Sequence, residues 1–101
     1  MIIHNREIRY AGNYAAFFDG LLSMKAYMRK KHPEIPVELM YNLAGQRGFA
    51  TIQTRYPSMA DYERIDAEMD NDEEYAKLIE AVLRAAGELP RDQFYRLIQD
   101  S

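Results

Sequence analysis

The pattern of hydrophobic and polar positions changes its period along the chain, and each change marks the boundary of a predicted element. Apolar residues spaced by three and four predict a helix over residues 14–32 and a second helical region that begins after Ser58. Alternating, β-branched or aromatic runs predict four strands. These strands cover residues 2–10, 37–44, 49–56 and 92–98.

Turn and cap residues refine these boundaries. Ser58 is a favourable N-cap for the second helical region, which the acidic run at 70–74 interrupts. Asp72 can cap a further helix, and Gly87 is predicted to end it. The residues Gly45-Gln46-Arg47-Gly48 predict the turn of an antiparallel hairpin. The order β-α-β-β-α-β predicts an α+β, ferredoxin-like sandwich.

The composition favours one small domain over residues 1–101, with 48% hydrophobic residues. The core of so short a chain is modest, so pairing with a second copy would add buried area. A net charge of −3 argues against nucleic-acid binding. There is no cysteine, and no apolar run approaches the roughly 20 residues of a membrane span. We therefore expect a soluble cytoplasmic protein that does not bind a membrane.

Two runs carry a resemblance to a known family. Residues 55–63 (RYPSMADYE), followed by residues 70–75 (DNDEEY), resemble the strand-to-helix junction of the dimeric α+β barrel superfamily. Within it, the NIPSNAP-like and antibiotic-biosynthesis-monooxygenase-like proteins look most similar. The resemblance implies a homodimer that closes a barrel from two sheets, with a small pocket in each subunit between sheet and helices. It also implies that small, often aromatic molecules are bound or converted, in some members without a cofactor.

Some superfamily members degrade heme, and this sequence departs from them. Those relatives carry a tryptophan and a histidine on the second helix. This chain has no tryptophan, and its second helical region, residues 59–86, has no histidine. The axial ligand of that arrangement is therefore missing. The run Asp70-Asn71-Asp72 lacks the glycine and the distal glutamate of a calcium loop. We predict neither a metal nor a cofactor.

Polar residues on apolar strands are the candidate site residues. Period-two alternation places Gln53 and Arg55 on the face of the third strand that points away from the helices. Asn42 shares the corresponding face of the second strand. On the first strand Asn5 lies on one face and the pair His4 and Arg6 on the other. The sequence leaves open which of these two faces lines a pocket.

Two functional hypotheses follow from these residues. In the first, a pocket holds a compact aromatic or polyketide-like substrate for cofactor-independent oxygenation or isomerisation. His4 would act as a general base, and Arg6 or Arg55 would hold a substrate anion. The amides that would polarise the substrate are those of Asn5, Asn42 and Gln53. In the second, the chain is a non-catalytic dimeric module whose polar strand residues pair across the interface or serve ligand binding alone.

Overall fold

The computed structural model describes residues 1–43 and 48–98, and its elements follow the predicted order. The strands are β1 (Ile2–Arg9), β2 (Val37–Tyr41), β3 (Phe49–Tyr56) and β4 (Arg91–Arg96). The helices are α1 (Tyr14–Lys31), α2 (Met59–Asp70) and α3 (Glu73–Arg84). The second helical region is thus divided in two at the acidic run.

The four strands form one antiparallel sheet in the order β2-β3-β1-β4. This is the ferredoxin-like arrangement, and the predicted fold class is confirmed. In the register of the sheet, His4 lies opposite Thr54 of β3 and Phe94 of β4. Ile2 and Ile8 pack against the helices, so the alternation of side chains places the even-numbered residues of β1 on the face that meets them.

The core lies between that face and the helices. One cluster joins α1, through Phe17, Leu21 and Met24, to strand residues that include Ile8 and Ile52. A smaller cluster joins α2 to the sheet, where Ile65 packs with Ile2, Ile35 and Tyr56. The stripe of α1 that the sequence predicts is therefore its buried face, as spacing by three and four requires.

Helices α1 and α3 approach each other at Gly20. A Cβ atom added there would lie 3.2 Å from Cγ2 of Val82, a residue that is buried in α3. The absence of a side chain at this position lets the two helices pack closely, although glycine costs a helix about 1 kcal/mol relative to alanine.

The caps of α2 and α3 are those that the sequence predicts. The Ser58 hydroxyl accepts a hydrogen bond from the backbone N–H of Asp61 at 3.2 Å. The Asp72 carboxylate accepts from the backbone N–H groups of Glu74 and Tyr75, at 3.0 and 3.1 Å. The two caps satisfy N–H groups that would otherwise lack a partner at the start of each helix.

The prediction that Gly87 ends the last helix is wrong. Helix α3 ends at Arg84, and Ala85 is its C-cap. The N–H of Gly87 instead donates to the carbonyl of Arg9 at 2.7 Å, where a Cβ would lie 3.4 Å from that of Ala11. This glycine belongs to the contact between the end of α3 and the end of β1.

The predicted ends of the second and fourth strands also differ from the structure. Strand β2 ends at Tyr41, and Leu43 lies beyond it with 74% of its surface exposed, so it does not face the helices as predicted. Strand β4 ends at Arg96, after which the N–H of Leu97 donates to the Met1 carbonyl. The predicted turn residues 45–47 lie outside the described residues.

Candidate functional site

Helices α2 and α3 lie over the sheet and enclose, with α1, a cavity of about 590 Å³. Cavities that bind small molecules range from about 300 to 1,000 Å³, so this one suits a compact ligand. Much of its wall is apolar. The apolar residues that line it include Met24, Met28, Val37, Ile52, Met69 and Ile79. Polar side chains line it from β1, β3, α2 and α3.

Three side chains form a linked group, and two of them, His4 and Arg6, line the cavity. Asp92 of β4 lies 2.9 Å from Nε2 of His4 and 2.7 Å from Nε of Arg6. Nη2 of Arg6 reaches the second carboxylate oxygen at 3.4 Å. Arg6 and Asp92 face each other in the β1–β4 register, which explains why they meet although they are far apart in sequence.

The negative charge of Asp92 fixes the tautomer of His4. Burial opposes the charge on Asp92, but hydrogen bonds from Arg6 and His4 hold the pKa of the carboxyl below its usual value. An ionised carboxylate can only accept hydrogen bonds, so Nε2 of His4 must donate. In the neutral imidazole, Nδ1 then carries the lone pair and can accept a proton.

Aromatic contacts hold the imidazole in place. The ring of His4 stacks on Phe94 with centroids 4.5 Å apart, and the edge of Tyr62 meets it at 5.7 Å. His4 is 8% exposed. A base that is fixed on one side by a carboxylate and on two others by rings has little freedom to leave its position.

Three tyrosines, Tyr56, Tyr62 and Tyr75, line the cavity. Burial is the main cause that raises the pKa of Tyr75 to about 12, and it also raises the pKa of Tyr56 and Tyr62. These phenols therefore stay protonated at neutral pH and can donate hydrogen bonds. They are suited to polarise a carbonyl group of a ligand.

The hydroxyl of Thr54 is buried in the cavity wall. It forms no hydrogen bond of good geometry within residues 1–43 and 48–98. The neighbouring Tyr56 phenol interacts with it, and that interaction lowers the Tyr56 pKa against the larger effect of burial. Because it forms no hydrogen bond of good geometry among the described residues, this oxygen can also contact a bound molecule.

The structure separates the predicted site residues into two groups. His4 and Arg6 line the cavity. Asn5 and Gln53 lie on the opposite face of the sheet, where the Gln53 amide donates to the Asn5 side-chain oxygen at 3.1 Å. Arg55 is exposed on that same face. The role of this second group in ligand binding stays a prediction.

Two further residues complete this comparison. Asn42 follows β2, and its backbone N–H donates to the Phe49 carbonyl at 3.1 Å; it does not line the cavity. Its predicted role in ligand binding also stays a prediction. Asp92, which sequence reasoning missed, is at the centre of the polar group. The signal was the alternation of Asp92 with Phe94, which places both on the face of β4 that meets His4.

The described residues offer neither a metal-binding cluster nor a helix suited to a membrane. Within residues 1–43 and 48–98, no group of three or more histidine, aspartate or glutamate side chains is arranged to hold a metal ion. In the same part of the chain, no helix is long and apolar enough to cross a membrane.

No protein-family profile and no curated protein matches this sequence. Solved structures match it over nearly its whole length. A NIPSNAP domain protein from Burkholderia xenovorans superposes with a TM-score of 0.82 at 8% identity, covering 97% of this chain and 95% of that one. A NIPSNAP family protein of unknown function from Agrobacterium tumefaciens gives 0.82 at 15% identity, covering 100% and 91%.

A cofactor-independent oxygenase, SnoaB from Streptomyces nogalater, also matches. Its TM-score is 0.75 at 10% identity, covering 98% of this chain and 94% of that one. The chain has the fold of the NIPSNAP and antibiotic-biosynthesis-monooxygenase-like proteins. The resemblance seen in the sequence is confirmed at this level. At identities this low, a shared NIPSNAP-like fold leaves the reaction to be argued from the cavity itself.

Proposed function

We propose that this protein binds a compact, partly aromatic molecule in the cavity and transfers a proton from it to His4. The observation that carries the proposal is the His4–Asp92 contact at 2.9 Å in the wall of an otherwise largely apolar cavity. A histidine oriented by a carboxylate is a common arrangement for a general base.

The proton would leave the carbon next to a carbonyl group and pass to Nδ1 of His4. Protonated phenols of the three cavity tyrosines would donate hydrogen bonds to the carbonyl oxygen as negative charge develops there. The resulting enolate has two outcomes. It is reprotonated at another carbon, which is isomerisation, or it reacts with molecular oxygen, which is cofactor-independent oxygenation. The abstraction by His4 is common to both.

Arg6 has a different role from the one predicted from the sequence. Its charge already pairs with Asp92, and although burial works against the charge, this pairing raises the Arg6 pKa. The guanidinium is thus not an unpaired site for a substrate carboxylate. In this proposal it holds Asp92 ionised, and Asp92 in turn holds His4 in the tautomer that accepts a proton.

Deuterium exchange tests the proton transfer. β-Tetralone is a neutral bicyclic ketone with acidic C–H groups, and NMR in D₂O follows the loss of those protons. We expect the protein to accelerate the exchange and His4→Gln to abolish the acceleration. His32→Gln is the control, because His32 does not line this cavity. Equal acceleration by the wild type and by His4→Gln would remove His4 from this role.

A second candidate is the dimeric module without catalysis, and the open face of the sheet favours it. We define the open face by Asn5, Met40, Gln53, Arg55 and Tyr95, which point away from the helices. It carries exposed apolar side chains beside an amide pair, a mixture typical of interfaces. We propose that a second copy of the chain covers it, as the resemblance implies.

Light scattering after gel filtration tests this assembly. We expect the mass of two chains for the wild type and of one chain for Tyr95→Asp. Leu22→Asp, an exposed apolar position on α1, is the control and should leave the dimer intact. A monomeric wild type would contradict the assembly without affecting the cavity.

A cytoplasmic location is part of the same proposal, supported by the absence of cysteine.

A further inference from the structure

Two carboxylates at the cavity have no ion-pair partner among the described residues. Asp66 and Asp70 both line it from α2. The two arginines that line it are already paired, Arg6 with Asp92 and Arg84 with Glu80 at 2.7 Å. Within the described part of the chain, neither Asp66 nor Asp70 forms an ion pair. This side of the cavity therefore carries uncompensated negative charge.

The same two residues are unfavourable for the helix that carries them. They are four positions apart, so their like charges lie on one face of α2 and repel each other. Asp70 is the last residue of the helix, and the last turn contains no basic residue. The negative end of the helix dipole thus meets further negative charge. A local arrangement that costs stability in this way is typical of a functional site.

The rest of the cavity wall offers aromatic surfaces and the buried hydroxyl of Thr54. Asp66 lines the cavity together with Tyr56, Tyr62 and Tyr75, and its negative charge contributes to the raised pKa of all three phenols, for which burial is the main cause. Aromatic rings and carboxylates together form favourable surroundings for an ammonium group. The buried hydroxyl of Thr54, 6% exposed and without a hydrogen-bond partner of good geometry among the described residues, can contact the body of a bound molecule.

We propose that the cavity takes a ligand with an aromatic body and a protonated amine, whose ammonium group lies between Asp66 and Asp70. This inference rests on the proposed function of the cavity as a small-molecule site, and it names the class of molecule. It also excludes the aromatic carboxylates that an unpaired Arg6 would have favoured, because their negative charge would lie close to the carboxylates of Asp66 and Asp70.

Three probes that share one skeleton separate charge from shape: phenethylamine, phenethyl alcohol and phenylacetate. Isothermal titration calorimetry at low salt measures each Kd. We expect the amine to bind roughly fivefold more tightly than the alcohol, the scale of two exposed ion pairs, and phenylacetate to bind most weakly. The preference for the amine should shrink as sodium chloride is added, since salt screens exposed charges.

The variant Asp66→Asn/Asp70→Asn should bind the amine and the alcohol equally while retaining its affinity for the alcohol. Asp19→Asn/Glu63→Gln is the control, because it removes the same charge from exposed positions that do not line the cavity. Without ligand, the first variant should also melt roughly 3 °C higher than the wild type, since the repulsion within α2 is relieved.

The outcomes distinguish this inference from the proposed function. Only the inference is overturned if the alcohol binds and the amine binds no more tightly than the alcohol. The same holds if the amine still binds more tightly than the alcohol in Asp66→Asn/Asp70→Asn, because these carboxylates then do not select the amine. If phenylacetate binds most tightly of the three probes, the inference is likewise overturned and the small-molecule site is not. If none of the three probes binds at concentrations up to about 10 mM, the small-molecule site and the inference are overturned together.

Discussion

Replacing Asp92 with asparagine tests the polar group at the cavity directly. The carboxylate accepts hydrogen bonds from His4 and from two nitrogens of Arg6. An asparagine of nearly the same shape has one oxygen that accepts and one nitrogen that donates. In Asp92→Asn, an amide N–H must therefore face a donor of Arg6 or the imidazole, and one hydrogen bond is lost along with the charge.

The size of the effect follows from exposure. A hydrogen bond to a charged group contributes about 1.5–3 kcal/mol to stability when it is buried. The side chains of Asp92 and Arg6 are 39% and 33% exposed, so solvent screens much of this attraction. We expect a loss of about 1 kcal/mol at neutral pH, which corresponds to a melting temperature lower by about 5 °C in a domain of this size.

The loss should depend on pH, with a sign fixed by the Asp92 pKa. Although burial opposes the charge, Arg6 and His4 lower this pKa in the folded state below that of the unfolded chain. The stability contributed by Asp92 is therefore present above about pH 4 and is lost as the pH falls through the lower, folded-state value. The melting temperatures of wild type and Asp92→Asn should converge in acid.

Thermal melts followed by circular dichroism between about pH 3 and pH 7 measure this difference. Asp19→Asn, at an exposed position of α1, is the control and should change the melting temperature little at any pH. The reasoning is refuted if Asp92→Asn is as stable as the wild type at neutral pH, or if its deficit is as large at pH 3 as at pH 7.

The contact between α1 and α3 and the cavity tyrosines provide two further predictions. Gly20→Ala should destabilise the protein, because an overpacked core costs about 1–3 kcal/mol and the helix gains only about 1 kcal/mol. In a Val82→Ala background, Gly20→Ala should stabilise the protein by about 1 kcal/mol. Urea unfolding of the wild type, the two single variants and the double variant measures the coupling free energy between the two positions, and a coupling of zero would contradict the contact. Burial is the main cause that raises the pKa of Tyr75 to about 12 in the folded protein. The same tyrosine ionises at a lower pH in the unfolded chain, so the free energy of unfolding should fall as the pH rises from about 10 toward 12. Tyr75→Phe should reduce this loss of stability at alkaline pH, as measured by urea unfolding. Tyr14→Phe, at an exposed position, is the control. If Tyr75→Phe loses as much stability as the wild type, Tyr75 is not the group responsible.

Local signals were sufficient for most of the fold. The spacing of apolar residues placed α1, and the side chains of Ser58 and Asp72 placed the starts of α2 and α3, because a cap interacts only with its own first turn. Gly87 misled the prediction for the opposite reason. Its nearest constraint is the carbonyl of Arg9 on another element, which a local reading of the sequence does not include.

The candidate site was only partly predictable. Alternation showed that His4 and Arg6 share a face of β1, but it could not say whether that face or the face of Asn5 meets the helices. The packing of the helices against Ile2 and Ile8 decided the question. The sheet register brought Asp92 to Arg6, and thereby changed Arg6 from a candidate anion site into one half of an ion pair.

The sequence by itself determined the order of the elements, their caps, the division of the second helical region, and the chemical groups that the chain can offer. These depend on interactions between residues close together in the chain. The tertiary structure decided which groups surround the cavity and which are already paired. The contacts that matter join β1 to β4 and α2 to the sheet, and such pairings depend on how the whole chain packs, because their partners are separated by most of its length.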